Sequence, residues 1–262
     1  MGTAVATTKR FPGASNRLKD VRPSDKMLAV YDKDAENTVK YHANYRGITA
    51  EAFLKLVDAH VKKLVDESGL WMRVRSTAFE KILEEGRFKS QFETGNSCGS
   101  YHPDGRARFE LAMFSYPEDM EPTKRPVYGY MTNSPDGELG GSRDSVGMYG
   151  QIAVKFKRDV VARKATFTFD DSLGKASLGG YMELVAMPVA APDHRAVDTS
   201  YLNTVLSYTS VQQVRSYPEV QYHKGLRVKH IEEVVFMERK YATKAITDKL
   251  DAASIPYRFH NC

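Results

Sequence analysis

Apolar residues recur three and four positions apart from residue 49 onward, with Phe53, Val57, Val61, Leu64 and Val65 on one side of a helix that Thr49 caps and Ser68-Gly69 ends. The period then changes to two. In Leu70-Trp71-Met72-Arg73-Val74-Arg75 the alternation predicts a strand with Trp71, Arg73 and Arg75 on one face. A short helix follows at once: Thr77-Ala78-Phe79-Glu80 has capping-box spacing, Phe79, Ile82 and Leu83 make its apolar side, and Gly86 suits its C-terminal cap. A loop of glycine, serine, asparagine and charged residues is expected over 89–106. Further strands are predicted over 126–132, 149–157, 165–169, 181–187, 218–223, 231–237 and 255–259, with helices over 198–208 and 243–253. Ile152, Val154 and Phe156 alternate with Ala153, Lys155 and Lys157, as in a half-buried strand.

Strands in the majority, with a few segregated helices, indicate an α+β fold rather than a repeating βαβ unit. Residues 1–45 show little apolar periodicity beyond a short element at 27–31 and are read as a partly ordered N-terminal extension, leaving 46–262 as one domain. The 262 residues are 42% hydrophobic and 27% charged, enough to bury a sizeable core. No apolar run approaches the roughly 18 residues that cross a bilayer, and no hydrophobic signal core opens the chain, so no membrane partner is expected. The two cysteines, Cys98 and Cys262, give neither a disulfide framework nor metal-ligand spacing, so no metal is expected. A cytoplasmic site, or delivery by a route without an N-terminal signal, fits this usage. The formal charge of +5 is spread among acids; it permits a nucleic-acid partner without arguing for one.

Three segments carry candidate chemistry: Arg75-Ser76-Thr77 with its helix, the pairs Tyr128-Gly129 and Tyr149-Gly150, and Glu219-Val220-Gln221-Tyr222-His223. A strand places Glu219, Gln221 and His223 on one face, and such a polar face inside a domain must be solvated, paired or used. Taken singly, each has a plainer reading: Arg75 as a surface arginine, the two tyrosines as half-buried strand aromatics, Glu219 with His223 as a polar ladder, and Asp170-Asp171-Ser172 as a turn. Cys98 and His102 lie close in sequence, but no third group orients them as a nucleophile and base.

The run from Arg75 to Lys89 resembles the first motif of ADP-ribosyltransferase-type folds, in which a strand-end Arg or His precedes a small hydroxyl residue and a short helix ending in glycine. A more specific likeness is to a family of bacterial proteins without assigned function. They share strings similar to Ser90-Gln91-Phe92-Glu93-Thr94-Gly95, Arg125-Pro126-Val127-Tyr128-Gly129, Ala165-Thr166-Phe167-Thr168-Phe169-Asp170-Asp171-Ser172 and Tyr217-Pro218-Glu219-Val220-Gln221-Tyr222-His223-Lys224-Gly225, in the same order.

The resemblance implies two small, mostly antiparallel sheets around an NAD cleft, with peripheral helices. It implies NAD as a substrate whose nicotinamide–ribose bond is cleaved, and transfer of ADP-ribose to a macromolecular acceptor, protein or nucleic acid, in a toxin, effector or defence role. Glu219 would stabilise the oxocarbenium-like ribose and Gln221 would orient the acceptor. Arg75, with Arg73 in reserve, would hold NAD phosphate beside Ser76 and Thr77. Tyr128 or Tyr149 would pack on nicotinamide, with Gly129 permitting close approach. Thr166, Thr168 and His223 complete the expected NAD contacts.

Many members of the superfamily place glutamate second, after Gln or Glu two residues earlier. Here the order is Glu219 then Gln221, and Thr166-Phe167-Thr168 stands in place of a Ser-Thr-Ser run. The acceptor type is therefore open. An NAD glycohydrolase would use the same residues, and a non-catalytic ligand- or nucleic-acid-binding module would keep only the fold.

Overall fold

Eight strands join into one hydrogen-bonded sheet in the computed structural model, which describes residues 18, 21–96, 101–139, 146–172, 185–214 and 217–260. They are β1 (Gly69–Val74), β2 (Val127–Thr132), β3 (Ile152–Phe156), β4 (Ala165–Thr168), β5 (Met187–Pro188), β6 (Glu219–Tyr222), β7 (Ile231–Phe236) and β8 (Tyr257–Phe259), in the spatial order β5-β4-β6-β2-β1-β3-β7-β8. Every pairing is antiparallel except β7 with β8.

The expected pair of small sheets is thus corrected to a single eight-stranded one. The reason lies in β1, which bonds β2 on one edge and β3 on the other and so joins the two halves. That joint is partial. The β1–β2 ladder spans Gly69 to Trp71, whereas β1–β3 runs on to Val74. Beyond Trp71 the Tyr222 hydroxyl donates to the Trp71 carbonyl at 3.3 Å.

The seven α-helices among the described residues are α1 (Asp25–Tyr45), α2 (Ala50–Asp66), α3 (Ser76–Glu85), α4 (Gln91–Thr94), α5 (Pro103–Phe114), α6 (Arg158–Val161) and α7 (Lys244–Ala252). Thr49 caps α2 as its pattern requires, accepting from the Ala52 amide at 3.1 Å, and Gly86 ends α3 at φ 72°. The first helical turn of α3 comes two residues early, because Arg75 rather than Thr77 holds the capping position. The expected helix over 198–208 is instead two 3-10 turns, Thr199–Tyr201 and Thr204–Ser207, and a 3-10 turn at Gly147–Tyr149 precedes β3. Residues 181–184 of the expected strand 181–187 lie outside the described residues.

Helix α1 falls within the stretch read as an extension. Ser24 caps it, and Met27, Tyr31, Ala35, Val39 and Ala43 repeat every four residues as its buried stripe. Two of the five are alanines, so the stripe is faint in hydrophobicity, yet it joins the core shared with α2 and the sheet.

The sheet has two unlike faces. On one, Leu70, Met72, Met131, Val154, Phe156, Phe167, Val220 and Phe236 form the main core with α1 and α2. On the other stand Trp71, Arg73, Tyr128, Tyr130, Thr166, Thr168, Glu219 and Gln221, set there by the pairings of β1, β2, β4 and β6. Helix α5 packs over this second face through Arg106, Phe109, Glu110, Met113 and Phe114, all buried. It lies partly in the expected loop 89–106. Its inward side carries an arginine and a glutamate, which erase the apolar period that would have announced it.

Candidate functional site

Strand β6 runs between β2 and β4, where Glu219 lies level with Tyr130 and Thr168, and Gln221 level with Tyr128 and Thr166. Both side chains are buried, Glu219 at 2% exposure. A carboxylate so placed needs donors around it, and three groups serve. The Ser172 hydroxyl donates to Glu219 Oε1, Gln221 Nε2 donates to the same oxygen at 2.9 Å, and Arg106 Nη1 stands 3.9 Å away.

The Gln221 bond is the end of a chain. Thr166 Oγ1 donates to Gln221 Oε1 at 2.8 Å, so it accepts from His223 Nε2 at 2.9 Å, and His223 Nδ1 accepts from the Tyr116 hydroxyl at 2.8 Å. Every donor in the series therefore points toward the carboxylate. This order requires a neutral His223 carrying its proton on Nε2, and burial with the Lys224 charge nearby pushes the imidazole pKa down to about 3.

Glu219 is moved the other way. Burial pushes its pKa up to about 7; Asp171 adds to the rise, while Arg106, Ser172 and Gln221 oppose it. The carboxyl group thus sits near the midpoint of its titration at neutral pH, where a charge on a ligand decides its state.

Arg106 is the cation in reach. Its guanidinium carbon lies 4.0 Å from the Tyr128 ring centroid, and Nη1 donates to Ser172 Oγ at 3.2 Å. Burial works against its charge, but Tyr128, Glu219 and Glu110 hold its pKa above the ordinary arginine value. One turn further along α5, Glu110 accepts from the Tyr128 hydroxyl at 2.8 Å and from Arg125 Nη1 at 2.7 Å. Arg125 in turn covers the Phe92 ring at 3.9 Å. Removing the Tyr128 hydroxyl leaves buried Glu110 one donor short, so Tyr128→Phe is expected to lower stability by about 1–2 kcal/mol, read as a urea midpoint shift at constant m-value.

The structure brings together Glu219, Gln221, Thr166 and His223 by direct bonds, with Tyr128 linked through Arg106. Thr168 is level with Glu219 but donates its hydroxyl to the Asp170 carbonyl. Tyr149 is half-buried, its hydroxyl 3.5 Å from that of Tyr217, and burial followed by the charges of Asp171 and Glu219 raises its pKa. Arg73 is buried on the same face of the sheet.

Arg75, Ser76 and Thr77 are not among these. The strand stops at Val74, so Arg75 leaves the face shared by Trp71 and Arg73 and stands exposed at the start of α3; Ser76 and Thr77 follow in the first turn. Gly129 serves the sheet itself: a Cβ there would come within 2.3 Å of the Trp71 carbonyl oxygen and 2.8 Å of the Tyr222 ring. Gly150, at φ 151°, would bring a Cβ within 2.1 Å of Val74, so glycine lets the turn after Tyr149 lie against the end of β1.

Arg106 and Tyr116 are the members that sequence patterns did not single out, while Ser172 was named only within a segment read as a turn. The signal for Arg106 was its four-residue spacing from Glu110 behind a proline at the helix start. Cys98 lies outside the described residues, and His102 is exposed before α5. Asp58, Asp193 and His194 gather their ligand atoms within 4.8 Å of one another elsewhere in the fold, but His194 is bonded to Asp58 at 2.6 Å and Arg195 to Asp193.

The family described as protein of unknown function (DUF3626) matches residues 71–202. The gene 2 protein of Mycobacterium phage D29 is 30% identical over 266 residues, covering 97% of this chain and 94% of its own. The gene 2 protein of Mycobacterium phage L5 is 25% identical over 217 residues, covering 79% and 78% respectively. Among solved structures, Thermus sp. 2.9 DarT in complex with NAD+ is similar at 12% identity and a TM-score of 0.39, over 72% of this chain and 94% of that one. No helix among the described residues is long and apolar enough to cross a membrane.

Proposed function

The chain belongs to the DUF3626 family, and within it we propose an NAD-dependent ADP-ribosyltransferase that breaks the nicotinamide–ribose bond and passes ADP-ribose to a macromolecular acceptor. The observation that carries this reading is Glu219, a buried carboxylate with Ser172, Gln221 and Arg106 grouped around it on the polar face of the sheet. The motif order that resembles ADP-ribosyltransferases supplies the substrate.

In the proposed reaction the bond from ribose C1′ to the nicotinamide nitrogen breaks, and its electron pair leaves with nicotinamide. Positive charge develops on the sugar. Ionised Glu219 stabilises that charge in a site with little water to screen it, and the acceptor then bonds to C1′ as its proton departs. Arg106, Ser172 and Gln221 favour the ionised carboxylate against the cost of burial. Gln221 is engaged at both ends of its amide, by Glu219 and by Thr166, so in this scheme it positions the carboxylate rather than the acceptor.

One face of the Tyr128 ring carries Arg106, so in this scheme Tyr149 is the nicotinamide platform. Arg75, exposed beside the turn that carries Tyr149 and Gly150, remains the proposed phosphate contact. Arg75→Ala is expected to weaken NAD binding about tenfold in calorimetry, the loss of one charge-assisted hydrogen bond. An unchanged affinity transfers that role to Arg73.

The test of the function is nicotinamide release from NAD by the pure protein beside Glu219→Gln. A second reading also has an observation behind it: Ser172 and Gln221 both donate to Glu219, as in a structural polar network inside a ligand-binding module. NAD binding with equal absence of release from both proteins selects that module. Release without a labelled macromolecule selects the glycohydrolase.

A further inference from the structure

A cavity of about 670 Å³ opens past the far end of β6 from Glu219, and its lining includes neither Glu219, Arg106, Arg73 nor Arg75. Its walls come from the segment after α3, the segment before β2 and the turn 224–227. Among the lining residues five are basic and one, Glu93, is acidic.

Internal pairs account for part of this charge: Glu93 takes Arg87 at 2.6 Å, Glu121 takes Lys124 at 2.9 Å and Glu110 takes Arg125 at 2.7 Å. They leave Arg227. It is exposed, has no ion-pair partner among the described residues, and faces Arg87 across an isolated antiparallel bridge. Arg87, though paired with Glu93, keeps its side chain 42% exposed, so with Arg227 it offers a second cation to an anion placed between them.

The turn that carries these charges is built with strain. Lys224 adopts φ 58°, a left-handed conformation that a residue with a side chain rarely takes, and Gly225 follows at φ 79°. Buried Lys164 fixes the turn from inside, donating to the Gly225 carbonyl at 2.7 Å. Strain of this kind collects at ligand clamps.

Apart from Thr123 and Gly225 the remaining wall is apolar or aromatic, with Phe88, Tyr116, Met120 and Val127 among its residues. A cavity of this size suits a small organic molecule rather than a lone inorganic anion. We propose that it binds a nucleoside phosphate, with the phosphates between Arg227 and Arg87 and the heterocycle against the aromatic wall. The site does not depend on the transferase reading. It does touch the network described above, because Tyr116, a wall residue, is the first donor in the chain that ends at Glu219.

Calorimetric titration of the full chain with ADP, adenosine and inorganic phosphate tests the proposal. ADP is expected to bind, with adenosine and phosphate each at least about tenfold weaker. Arg227→Ala is expected to weaken ADP binding about tenfold, and Lys224→Gly, which removes a charge while suiting the left-handed backbone, to weaken it by several-fold. Lys240→Ala, an exposed change outside both the cavity and the proposed NAD cleft, should leave ADP affinity unchanged. Three results overturn the site: no ADP binding; ADP binding indifferent to both cavity variants; or binding lost on Arg75→Ala, which would put ADP in the proposed NAD cleft. A single-stranded oligonucleotide that binds where ADP does not also overturns it, since the cavity would then serve a different ligand class.

Discussion

Glu219→Gln is expected to lower nicotinamide release from NAD by about 10²- to 10³-fold while NAD affinity changes less than about threefold. The substitution keeps the shape of the side chain and removes a charge that interacts most strongly with the cationic transition state. In ground-state NAD the positive charge lies on the nicotinamide ring and passes to the sugar only as the bond breaks, so binding should be affected far less than turnover. The same carboxyl group sets the pH profile. Its pKa is pushed up to about 7, and the ionised form is the active one, so release should rise as pH increases through 7 and level off above it. Measured release within threefold of the parent protein, or a profile that falls with rising pH, would remove Glu219 from the reaction.

The strand pattern made β6 legible because period two acts on each residue separately, and it put Glu219, Gln221 and His223 on the one face they share. Strands β2, β4 and β7 were legible for the same reason. What the pattern could not see was the cover. Helix α5 buries Arg106 and Glu110 against the sheet, and a helix that turns charges inward has no apolar stripe to read. The two-sheet expectation failed on pairing, since strand sequences do not state their neighbours, and here β1 bonds on both edges. The strand placement of Arg75 missed by one residue of boundary: alternation carried the strand through it, but the chain turned into α3 at that point.

The second large expectation concerns acid. His223 is 0% exposed, and burial followed by the Lys224 charge pushes its pKa down to about 3, against roughly 6.5 for an unfolded histidine. The unfolded chain therefore takes up a proton below about pH 6.5 that the folded chain refuses until about pH 3. His223 contributes its full stability above 6.5, and this is lost as pH falls across that window, at about 1.4 kcal/mol per pH unit and about 5 kcal/mol at most. His230, lowered to about 4 first by burial and then by the surrounding lysines and arginine, adds in the same direction. Glu219 acts against both: its raised pKa means the folded state binds a proton near pH 7 that the unfolded state accepts only near 4.5, so its contribution grows as pH falls between those values. The net curve of the parent protein mixes these opposing slopes, and the difference from His223→Gln isolates one of them. Gln can still donate to Thr166, so the variant should fold. Urea midpoints from pH 7 to pH 4 should show the parent losing about 1.4 kcal/mol per pH unit more than the variant below pH 6; parallel curves would mean that His223 is already protonated in the fold, and that the chain of donors aimed at Glu219 is not polarised as its geometry requires.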